Sequence, residues 1–138
     1  MSNTAKDLSQ ESPRSPRTRL GGYVLAARMI DKGRADLSGS VGEYHFNCML
    51  DSVLFKFKGV TGKEVHTLLA LGATDEEVIE WINNNGTPRT AEEISTWSDS
   101  LLKEKDMFFD LLEADDRALL SKPTTSSLNI PRKAKPIQ

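Results

Sequence analysis

The stretch Thr74-Asp75-Glu76-Glu77-Val78-Ile79-Glu80-Trp81-Ile82-Asn83 decides the fold class. Thr74 stands three residues before Glu77, the spacing at which a hydroxyl and a carboxylate can each satisfy a free backbone N–H at a helix start. Asp75, Glu76 and Glu77 place negative charge at the positive end of that helix. Val78, Trp81 and Ile82 then recur at three and four residues, the period of a helix with one buried face. Thr61 with Glu64 repeats the device before Val65, Leu68 and Leu69, and Thr90 with Glu93 repeats it before Ile94, Trp97 and Leu101. Three starts of one kind, separated by Gly72 and by the turn cluster at residues 83–88, predict consecutive short helices.

Upstream, Leu50, Val53, Leu54 and Phe57 predict a helix over residues 50–58, and Val24, Leu25, Ala27 and Ile30 predict one over residues 23–34, after Gly21-Gly22. Between them Gly33, Gly39 and Gly42 break the chain, and the loose alternation over residues 41–46 leaves room for one short extended segment. Downstream, Phe108, Leu111, Leu112 and Leu119 predict a last helix that Pro123 closes off. The expected fold is therefore mainly α: a compact single-domain bundle of about six short helices over residues 19–121. Residues 1–18 and 122–138 lack apolar period and are rich in Ser, Pro and basic residues, so both are expected to be disordered tails.

Charge is divided unevenly along the 138 residues. Of a net charge of −2, residues 1–20 carry +2 and residues 122–138 carry +4, which leaves −8 on the body between them. An acidic body repels phosphodiester backbones. The second helix of the pair at Thr74 and Thr90 presents Glu92, Glu93 and Asp99 where a DNA reader would place basic or amide side chains, so no specific DNA binding is expected. No apolar run approaches the roughly twenty residues that cross a bilayer, so no membrane partner is expected. A single cysteine, Cys48, and a polar start with no apolar segment behind it point to a cytoplasmic protein.

Read in order, Arg14-Ser15-Pro16-Arg17, Leu20-Gly21-Gly22-Tyr23, Arg28-Met29-Ile30-Asp31-Lys32 and Gly42-Glu43-Tyr44-His45-Phe46-Asn47-Cys48 resemble a bacterial family, the domain-of-unknown-function family 5069. The likeness runs on through Leu50-Asp51, the Thr74 helix start, Thr96-Trp97-Ser98 and Phe109-Asp110-Leu111-Leu112-Glu113, over about residues 12–121. The sequence departs from the family at Met49, where the resemblance leads one to expect proline. The resemblance implies a shared fold and brings no activity with it.

The polar residues capable of chemistry concentrate in residues 23–51. Arg28, Asp31 and Lys32 share a helix face, where they can form an ion-pair ladder among themselves. His45 and Cys48 have the spacing of half a zinc site, but a second half is missing and no metal or other cofactor is expected. No phosphate-binding glycine pattern occurs. Function therefore stays unknown at this level, with two expectations. The first is a binding module for a small anionic ligand or a protein partner, with Arg28 or Arg34 as the fork for a carboxylate or phosphate and Tyr44 and His45 as hydrogen-bonding or stacking groups. The alternative is a small enzyme that uses His45 as general acid or base, oriented by Glu43 or Asp51.

Overall fold

The computed structural model describes residues 4–121. They form six helices: α1 (Ala26–Ser38), α2 (Met49–Lys58), α3 (Gly62–Ala70), α4 (Asp75–Asn84), α5 (Ala91–Glu104) and α6 (Asp106–Ser121). The fold is mainly α, and no strand forms among the described residues. Residues 41–46, where an extended segment had room, run through turns instead. The expected basic tail at residues 122–138 lies outside the described residues.

Threonine chemistry starts three of the helices as expected. Thr61, Thr74 and Thr90 each accept a hydrogen bond from the backbone N–H three residues on, at 3.0–3.1 Å, and Glu64, Glu77 and Glu93 each reach back to the cap N–H at 2.8–3.0 Å. Helix α2 begins differently, with Asp51 Oδ2 accepting from the backbone N–H of Asn47 at 2.8 Å and of Cys48 at 3.4 Å. Met49 is the first residue of α2 and is 88% exposed. Proline is favoured at that position, and Cys48 before it is already extended at φ −80° and ψ 178°, as a residue preceding proline must be. Met49→Pro is expected to raise the unfolding free energy by about 0.5–1 kcal/mol, read from the urea midpoint at unchanged m-value.

Helix α1 is the axis of the molecule. It was expected to start at residue 23 and to bury one side. It starts at Ala26, because Leu20 and Tyr23 close a tight bridge and Leu25 turns the chain at φ +75°. It runs through Gly33 to Gly39, and every residue from Ala26 to Ala35 is buried. A side chain at Gly33 would run into Leu69 of α3 and Phe46, so this glycine permits close packing instead of breaking the helix. Around α1 gather Leu54 and Phe55 of α2, Val65 and Leu69 of α3, Val78, Ile79 and Ile82 of α4, Ile94 and Leu101 of α5, and Phe109 of α6. Trp81 and Trp97 pack on the margin of this core, with Trp97 stacked on Phe57 at 4.5 Å.

The largest departure from expectation is at the N-terminus. Residues 4–18, expected to be disordered, lie across the bundle with Leu8, Pro13 and Pro16 buried. Arg14 holds Asp31 of α1 through its backbone N–H (2.8 Å) and its guanidinium (2.9 and 3.1 Å), and it reaches Asp75 of α4 at 2.9 Å. Arg17 binds Glu113, Asp106 and Asp110 of α6, and Arg19 pairs with Asp99 of α5. The basic segment is thus a strap that ties four helices together through an acidic side chain on each.

Candidate functional site

A cleft of about 360 Å³ opens between residues 43–50 and α6, with α1 as its floor. One wall is apolar and consists of Met49, Leu50, Phe108, Leu112 and Leu119. The other is polar, formed by Arg28 and Lys32 from α1, Glu43, Tyr44, His45 and Cys48 from the preceding loop, and Asp115 and Asp116 from α6. The chain folds this way locally because Asp51 locks the start of α2 from below. The loop residue Asn47 takes a left-handed conformation at φ +62°, which asparagine tolerates better than most residues.

The charged residues of α1 do not form the ladder expected of a solvated helix. Arg28, Asp31, Lys32 and Arg34 are each buried and paired with a residue of another segment. Arg28 grips Asp116 of α6 through both terminal nitrogens, at 2.9 and 3.0 Å. Lys32 pairs with Asp51 of α2 at 3.1 Å and donates to the Cys48 sulfur at 3.2 Å. Arg34 pairs with Asp75 of α4 at 2.9 Å and donates to the Ala73 carbonyl. A helix whose sides are all covered can keep charges only if each finds a partner, since an unpaired buried ion is very costly.

These pairings sort the candidate residues. Arg28, Glu43, Tyr44, His45 and Cys48 come together in the cleft, whereas Arg34 faces α4 and is absent from its lining. The signal was available in the helical period: six residues separate Arg28 from Arg34, which turns them about 120° apart. Tyr44 donates its hydroxyl to Asp116 at 2.8 Å, and its ring lies 5.5 Å from the Arg28 guanidinium. Burial, reinforced by the bond to Asp116, pushes the Tyr44 hydroxyl up to about 12, so it remains a donor at neutral pH. Asp51 is committed to Lys32 and the α2 cap and does not orient His45. His45 and Glu43 are exposed at the mouth of the cleft. Sequence reasoning missed Asp115 and Asp116, which arrive from about seventy residues away.

The chemical balance of the cleft follows. Both of its basic residues are neutralised by buried carboxylates, while the carboxylates of Glu43 and Asp115 at its rim have no ion pair or hydrogen bond among the described residues. A hollow of about 450 Å³ between α3 and α4 is larger, but Glu77 in its lining is committed to the Thr74 cap and no buried charges converge on it. His66, the remaining histidine, pairs with Asp36 at 3.0 Å and lies against Phe46.

The family model for a domain of unknown function, DUF5069, matches residues 10–118. No curated protein sequence matches the chain.

Proposed function

The chain belongs to this DUF5069 family, and from the chemistry of its cleft we propose that it is a non-catalytic binding module for a guest with an apolar body and a positively charged group. One observation carries this reading: the cations facing the cleft are already paired, and the free charge at its rim is acidic. The apolar body rests against Leu50, Phe108, Leu112 and Leu119, the cationic group sits between Glu43 and Asp115, and His45 edges the mouth. The cleft volume falls in the range of small-molecule sites, which combine apolar lining with a few placed polar groups.

An anionic guest, the first expectation from the sequence, would have to take Arg28 from Asp116 and leave that carboxylate buried without its cation. That exchange loses a bidentate charge-assisted pair for at best an equal one. No helix among the described residues is long and apolar enough to cross a membrane. A free thiol paired with an ammonium suits a reducing cytoplasm, the setting proposed here.

Octylammonium and octanoate share a chain and differ in charge, so they separate the two readings. In thermal unfolding at neutral pH, octylammonium is expected to raise the melting temperature, with the stabilisation reaching about 2.7 kcal/mol at a hundred times its dissociation constant. Glu43→Gln with Asp115→Asn is expected to remove most of the shift. A shift with octanoate alone, insensitive to that double substitution, would reverse the assigned charge of the guest.

A further inference from the structure

We infer that the guest is an amphipathic helix of a protein partner, laid along α6 with its apolar face over the cleft and a Lys or Arg at Asp115. The inference rests on the cleft chemistry proposed above and names the class of partner. Its first support is the extent of the exposed apolar surface. Met49 and Phe108 line the cleft and are exposed, and the apolar surface of α6 continues past them through Leu111, 60% exposed, and Met107, 77% exposed. Leu111 stands about 60° and Met107 about 100° around the helix from Phe108, on the side away from buried Phe109. A small guest filling about 360 Å³ covers Leu50, Phe108, Leu112 and Leu119 and leaves Met107 and Leu111 in water. An apolar surface that runs on beyond its cleft marks a larger partner.

The second support is shape. From Met107 to Leu119 the apolar side of α6 runs for about 18 Å. A partner helix of about fourteen residues matches that length, with apolar side chains recurring at three and four residues. No strand forms among the described residues, so an extended peptide has no sheet edge to join. Met49 and Met107 bring unbranched side chains that adapt to the surface laid on them.

The third support is charge. Asp115 stands within the apolar side of α6, four residues from both Leu111 and Leu119. A purely apolar partner would bury its carboxylate unpaired at high cost, so the partner must bring a cation to that position. Glu43, across the cleft, offers a second carboxylate. A second copy of this chain is a poor match. It would bring another Asp115, while Arg117, the exposed basic residue of α6, stands about 160° around the helix from Asp115.

The test is calorimetric titration of the full chain at neutral pH with two probes. One is octylammonium, which fits the cleft. The other is an amidated peptide of about fourteen residues in which leucines recur at three and four residues and lysines fill the rest. Met107→Ser with Leu111→Ser, both exposed and outside the cleft lining, is expected to weaken the peptide by about tenfold or more and to leave octylammonium unchanged. Glu43→Gln with Asp115→Asn is expected to weaken both probes. A peptide of the same composition with leucine at every second residue has no apolar helix face and is expected to bind the parent chain about tenfold more weakly. Equal affinity of the helical and alternating peptides overturns the inference, as does a peptide affinity indifferent to Met107→Ser with Leu111→Ser. So does a parent chain that sediments as a dimer and becomes monomeric with that double substitution, since the face would then belong to a second copy. The two claims fail separately: octylammonium binding without peptide binding retains the cleft as a cation site and removes the helical partner, and the absence of both removes the cation site as well.

Discussion

Asp51→Ala is expected to lower the unfolding free energy by about 3–5 kcal/mol, because it strands the ammonium of Lys32 in the interior. The side chains of this pair are 4% and 2% exposed, so water cannot replace the lost carboxylate. The same substitution removes the acceptor for the Asn47 and Cys48 N–H groups, and with it the start of α2. Lys32→Met is expected to cost less, about 1–3 kcal/mol, since Asp51 keeps both backbone donors. Urea unfolding at pH 7 of the two single variants and the double variant gives the coupling directly. A smaller loss for Asp51→Ala than for Lys32→Met would contradict this account of α1. The comparison also bears on the enzymatic alternative, since it tests Asp51 as part of the scaffold and not as a partner of His45.

Arg14→Ala is expected to cost about 3 kcal/mol, although Arg14 itself is only partly buried. The loss comes from Asp31, whose side chain is 5% exposed and would keep only Lys6, at 3.8 Å, as a cation within reach. Arg14→Lys is expected to recover little, because one ammonium cannot match the fork that engages Asp31 and Asp75 together. The acid limb of stability carries a second signature. Burial alone would raise the Asp75 carboxyl, but hydrogen bonds and charge from Arg14 and Arg34 outweigh it and hold Asp75 below its ordinary value of 3.8. A depressed carboxylate contributes stability that is fully present above its unfolded value and is lost as the pH falls through the folded one. Wild-type stability should therefore drop below about pH 4, and the Arg14→Ala variant, with less depression to lose, should show a shallower fall over the same window.

The strap is also where the sequence was hardest to read. Thr61, Thr74 and Thr90 announce their helices because capping chemistry is complete within four residues. Arg14 and Arg17 announce nothing locally: Ser-Pro-Arg has no apolar period, and its partners lie in α1, α4 and α6. The one available signal was the contrast between a basic N-terminus and a body at −8, which reads equally well as a solvated linker. The candidate site was legible in half. Glu43, Tyr44, His45 and Cys48 lie within six residues of one another, and Arg28 shares their cleft, but Asp115 and Asp116 come from a distant helix that its apolar residues alone announce. Without those two residues Arg28 looked like a free fork for an anion. With Asp116 on both its nitrogens, it is part of the floor.

The central claim, that the cleft selects an apolar guest with positive charge, is tested most directly by following backbone amide resonances during parallel titrations with octylammonium and octanoate. The account predicts saturable shifts with octylammonium that cluster on residues 43–50 and on α6 from Phe108 to Leu119, and none of that pattern with octanoate. Saturable shifts at those residues with octanoate and not with octylammonium would contradict it.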